Sequence, residues 1–99
     1  MMMELHVISR KTGQLMRAFA LGDAAEVLIG RDENCDIRLD SPTVSREHCV
    51  IESIDGVLHL RDLESTAGTI HSGQPIGEVR LQNGLEVQIG PAILRFVED

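Results

Sequence analysis

Apolar residues recur at every second position in short runs, and each run stops at Gly, Asn, Asp, Ser or Pro. Leu5 and Val7 precede the turn-like KTGQ at 11–14, and Leu15, Phe19 and Leu21 follow it. Val27 and Ile29 lead into Gly30; Ile37 and Leu39 lead into Ser41 and Pro42. Cys49 and Ile51 come before Asp55-Gly56, with VLHL at 57–60 just after it. Val79 and Leu81 lie beyond Ser72-Gly73. LEVQIG at 85–90 puts Leu85, Val87 and Ile89 on one face and Glu86 and Gln88 on the other, and AILRFVE follows at 92–98. Such period-2 runs between turn residues predict an all-β sandwich or barrel. Asn83-Gly84 is the strongest hairpin signal, since both residues tolerate positive φ. The one helical candidate, DAAEV at 23–27, is too short to be stable alone. Nothing reads as a linker or a repeat, so residues 1–99 are expected to form a single domain.

Composition narrows the chemistry. The 42 % apolar fraction is mostly Leu, Ile and Val, with two Phe and no Trp or Tyr. That favours strands and leaves almost no platform on which a base could stack. A net charge of −7 repels nucleic acid and anionic lipid unless the cations cluster. Neither nucleic acid nor a membrane is therefore an expected partner. Eight of the nine basic residues are Arg, with Lys11 the exception, a bias that suits forked contacts to phosphate or carboxylate. Cys35 and Cys49 sit in no C-x-x-C pair and have no His at metal-ligand spacing. They read as small fillers of core or loop, and no metal or cofactor is expected. The start, MMMELHVISRK, lacks a hydrophobic run of signal-peptide length. A reducing, cytoplasmic location is the expectation.

Three loops break the alternation with clustered polar residues: GRDENCD at 30–36, SPTVSREH at 41–48 and DLESTAGT at 62–69. In a sandwich, alternate loops gather at one end of a rigid scaffold. Gathered there, Arg31, Arg46, Ser45, Ser65 and Thr66 offer two guanidiniums, two or three hydroxyls and backbone N–H groups. That set suits a phosphate dianion. The chain's acidity does not forbid it, because a cluster acts over about 8 Å at physiological salt.

GRDENCDIRLDSPTVSREHCVI at 30–51, LHLRDLESTAGT at 58–69 and LQNGLEVQIG at 81–90 together resemble the forkhead-associated (FHA) domain. The shared pattern is a Gly-Arg, an Asp-Ile strand, Ser-x-x-His, Asp-Leu-x-Ser-x-Asn-Gly-Thr and a Leu…Ile-Gly end. The similarity spans residues 27 to 97, and the first strands fit the family's N-terminal hairpin. It implies an FHA-like β-sandwich of about eleven strands whose loops at one end hold phosphothreonine in a partner protein. On that resemblance Arg31 pairs with the phosphate, Ser45 hydrogen-bonds it, Arg46 adds a basic contact, and Thr66 reaches the phosphothreonine or its backbone. Gly30, His48 and Gly68 match structural positions, with the histidine bracing the loops. Such modules often ride with other domains in a longer signalling chain.

Ala67 departs from the pattern. The family usually carries Asn there, whose amide clasps the peptide backbone, and a methyl group can neither donate nor accept. The loss is expected to cost about 1–3 kcal/mol, roughly five- to 150-fold in affinity. HSG at 71–73 and Glu86 are milder departures. The degenerate clasp leaves a second reading open, a scaffold that binds protein independently of phosphate. A third, from another class, strings Ser45, His48 and Asp62 into a hydrolase triad, since triads ignore sequence order. It lacks a nucleophile elbow, and 99 residues leave little room for a substrate pocket.

Overall fold

The computed structural model describes residues 2–22 and 26–98. Eleven strands carry the described chain: β1 (Met3–Ser9), β2 (Leu15–Ala20), β3 (Glu26–Gly30), β4 (Ile37–Arg38) and β5 (Cys49–Ile54). They continue as β6 (Val57–Asp62), β7 (Ile70–His71), β8 (Gln74–Pro75), β9 (Glu78–Arg80), β10 (Glu86–Ile89) and β11 (Ala92–Glu98). One sheet has the order β2-β1-β11-β10-β7-β8 and the other β4-β3-β5-β6-β9. Among the described strands, only the short β3–β4 pair is parallel. Among the described residues there is no helix. Of the helical candidate at 23–27, residues 23–25 lie outside the described residues, while Glu26 and Val27 open β3.

The alternation works as the sequence predicts because β1, β3, β5, β6, β10 and β11 each turn alternate apolar side chains into the core. Leu5, Ile29, Ile51, Leu60, Val87, Ile89, Leu94 and Phe96 are buried between the sheets. Each aliphatic side chain so buried contributes roughly 1.5–3 kcal/mol. Leu21, Leu39 and Leu81 fall just beyond their strands and still reach this core. Leu15 does not. A register shift between Val7 and Ile8 pairs Val7 with Arg17 and Ile8 with Leu15. The extra residue, Met16, turns Leu15 to the outer face, where it is 54 % exposed.

One turn differs from expectation. Asn83-Gly84 is no hairpin, because β9 and β10 belong to different sheets. A two-residue hairpin turn of this kind needs positive φ at both positions, and here Gly84 alone has it, at 88°. The Asn83 side chain instead accepts the Glu98 N–H at 2.9 Å. The hairpins that do use paired positive φ are Asp55-Gly56 (52° and 79°), joining β5 to β6, and Ser72-Gly73 (49° and 78°), joining β7 to β8.

Candidate functional site

Gly30 closes β3 in contact with the loop before β5. A Cβ there would overlap the Arg46 carbonyl and press on Cys35 Sγ at 3.0 Å. The requirement for glycine is close approach, and it lets the two loops zip together. The Arg31 N–H donates to Ser45 O and the Asp32 N–H to Arg46 O, both at 3.0 Å. Arg31 Nε donates to Val44 O at 3.0 Å, which lays the guanidinium along the 44–46 segment, and among the described residues its Nη groups make no hydrogen bond. Arg38 Nε donates to Arg31 O at 2.9 Å and holds the peptide from the other side. Arg31 is half-buried and Arg46 exposed, and among the described residues neither joins an ion pair.

Ser45 joins this loop pair to the third. Its Oγ accepts the Thr66 N–H at 3.0 Å, so its own proton stays available for an anion. His48 lies fully buried beneath. Its Nδ1 accepts the Ser45 N–H at 3.1 Å, and its Nε2–H donates to Gly68 O at 3.0 Å. The backbone partners thereby set the tautomer, and the ring spans two loops as a brace.

The 62–69 loop is shaped by Asp62. Its Oδ1 accepts from Ser65 Oγ at 2.6 Å and Thr69 Oγ1 at 2.8 Å, and its Oδ2 accepts the Ser65 N–H at 3.1 Å. These bonds hold Glu64 at φ 55°, a left-handed conformation that costs a non-glycine residue roughly 1–2 kcal/mol. Ser65 and Thr69 are thus spent on the frame, which corrects the reading of Ser65 as a ligand hydroxyl. Ser45 and the exposed Thr66 are the hydroxyls left facing outward. Ala67 is exposed and borders an open cavity of about 500 Å³ shared with Arg10, Thr43, Gly68, Gly90 and Pro91.

The triad reading fails on the same geometry. His48 is bonded to backbone atoms on both nitrogens, and Asp62 faces Ser65 and Thr69, so no proton path joins Ser45, His48 and Asp62. Sequence reasoning missed the framing role of Asp62, although an acid three residues before a serine is the spacing of a side-chain-capped turn. It also missed Arg38, whose role depends on the parallel β3–β4 contact and leaves no local signal.

Cys35 and Cys49 are free and buried. Burial raises both thiols above their ordinary range, helped by the charge of Asp32 at Cys35 and of Asp62 at Cys49. Cys35 Sγ also donates to Arg46 O at 3.2 Å. With so little thiolate, both cysteines should label negligibly with iodoacetamide at pH 8 in the native protein and fully in guanidinium. Rapid native labelling would show the loops opening.

Two sheets, antiparallel but for the β3–β4 pair, that present three mutually braced polar loops define a loop-displaying β-sandwich domain. The chain belongs to the FHA domain family, whose model matches residues 27–90. It is 38 % identical over 88 residues to the oxoglutarate dehydrogenase inhibitor of Corynebacterium diphtheriae, which covers 89 % of this chain and 62 % of that protein. The chain thus spans under two thirds of that relative's length. Among solved structures, a domain studied for phosphothreonine-dependent FHA domain interactions superposes with a TM-score of 0.83 at 27 % identity, covering 100 % of this chain and 98 % of that one. EmbR of Mycobacterium tuberculosis, in complex with a low-affinity phosphopeptide, superposes with a TM-score of 0.78 at 30 % identity, covering 95 % of this chain and 24 % of that one.

Proposed function

We propose that this chain is a non-catalytic interaction domain that binds phosphothreonine in a partner protein. Arg31 and Ser45 hold the phosphate, with Arg46 and Thr66 at its edge. One observation carries the reading: among the described residues, the Nη groups of Arg31 and the hydroxyl proton of Ser45 have no protein partner, on two loops that the Arg31 N–H to Ser45 O bond ties together. Charge-assisted bonds from such donors are the strong ones. Gly30, His48 and Gly68 serve the scaffold. The domain acts as one unit of a longer regulatory protein in a reducing, cytoplasmic compartment, in keeping with its two unpaired thiols. Titrating a degenerate phosphothreonine peptide library against a matched threonine library tests this, and binding that survives dephosphorylation would overturn it.

Ala67 favours a second reading, a scaffold that binds protein without reading phosphate, because no side-chain amide stands ready to clasp a peptide. The two readings separate at this residue. Since Ala67 opens onto the cavity, an asparagine fits without repacking. Ala67→Asn should therefore strengthen phosphopeptide binding by about 1 kcal/mol or more, measured by calorimetry. No gain would mean that the peptide does not pass residue 67.

A further inference from the structure

Among the described residues, every sheet edge but one is guarded. β4 and β8 are two residues long, β8 ends in Pro75, and β9 has three residues, two of them charged. Short, charged or proline-bearing edges resist pairing with other chains. β2, at the end of the six-stranded sheet, pairs with β1 alone and has six residues, LMRAFA. It contains no proline, glycine, lysine or acid. Its single charge, Arg17, is folded back, 4.8 Å from the centre of the Phe19 ring and donating to Arg38 O at 3.4 Å. Met16 and Leu15 beside it are 63 % and 54 % exposed. From Arg17 to Ala20 the strand is in regular register with β1, and the bulge at Met16 ends the pairable stretch.

A groove of about 380 Å³ runs along this edge, between β2 and the segment after β4. Val7, Met16, Leu39, Pro91 and Ala92 supply its apolar lining, with Arg17, Arg38 and Asp40 among its polar lining groups. The electrostatics of this region oppose those of the whole chain. Over residues 9–20 and 37–41, which carry this edge and its groove, Arg10, Lys11, Arg17 and Arg38 stand against a single acid, Asp40. Asp40 itself lies 3.6 Å from Arg38. In the adjoining loops Asp32 and Asp36 accept backbone N–H groups, and Glu33 and Glu47 are exposed beside Arg31 and Arg46.

We propose that β2 is a docking edge for an extended acidic-apolar segment of a partner protein, added as a strand beside Arg17–Ala20. Main-chain bonds hold the segment, an aliphatic side chain fills the groove, and a carboxylate meets Arg17 and Arg38. The local charge selects this occupant over a second copy of the chain, because pairing β2 with β2 would set two cationic edges against each other. The site is independent of phosphate binding.

The test is NMR titration of the whole chain with an unphosphorylated ten-residue peptide that alternates Glu with Val, Ile and Leu. A second peptide carries Lys in place of Glu. Saturable shifts at residues 15–20 and 38–40, with slowed amide exchange along β2, are expected for the acidic peptide only. Arg31→Ala should leave them unchanged. Arg17→Glu should weaken the acidic peptide at least tenfold and gain binding to the Lys peptide, a reversal that loss of folding cannot mimic. Equal binding of both peptides, shifts elsewhere, or no saturable shift would overturn the proposal. So would concentration-dependent dimerisation through β2 without peptide.

Discussion

Arg31→Ala should lower affinity for a phosphothreonine peptide by about tenfold to more than a hundredfold, the equivalent of roughly 1.5–3 kcal/mol for bonds to a charged group. The size follows from geometry. Val44 O fixes Nε, so the Nη pair is already aimed and little side-chain entropy remains to be lost on binding. Arg31→Lys should fall between, since an ammonium keeps the charge but loses both the fork and the Nε anchor. Calorimetry with phosphorylated and unphosphorylated forms of one peptide measures both variants. The melting temperature of each serves as a control for loop damage, because the Arg31 backbone bond to Ser45 survives in either. Unchanged phosphopeptide affinity in Arg31→Ala would remove the phosphate from this site.

His48→Leu destabilises the fold by about 2–4 kcal/mol. Leucine fills the volume but offers no partner to the Ser45 N–H or the Gly68 carbonyl. Each unpaired buried group costs roughly 1–3 kcal/mol. For a domain of this size, about 10 °C or more of melting temperature should go with it. Phosphopeptide binding should weaken as well, because the same ring couples the Ser45 loop to the Thr66–Gly68 loop. A calorimetric scan and a titration on the one variant check both effects, and a wild-type melting temperature would contradict the bracing role.

How far the sequence carries varies from residue to residue. Gly30, Ser45 and His48 were legible by pattern, and the structure gives each a physical reason: a steric overlap, a bridging hydroxyl, a doubly bonded ring. Ser65 looked like Ser45 in the sequence, a hydroxyl in a polar loop. It differs because Asp62, three residues back, captures it. Asn83-Gly84 carries the local chemistry of a hairpin, yet the chain uses it to cross between sheets. Turn propensity describes four residues, whereas strand partners are chosen by which apolar faces can be buried together.

By itself the sequence determined that the described chain is built of strands, roughly where the longer ones lie, and which loops carry polar groups. Period-2 burial and turn chemistry are local, and local patterns can be read without coordinates. The tertiary structure alone decided which of those polar groups face outward. Arg38 reaching Arg31, Asp62 drawing in Thr69, and β2 left open at a sheet edge all depend on strand order. Hydroxyls and guanidiniums satisfied within the fold look the same in one dimension as those left for a ligand. Only the packing of the two sheets tells them apart.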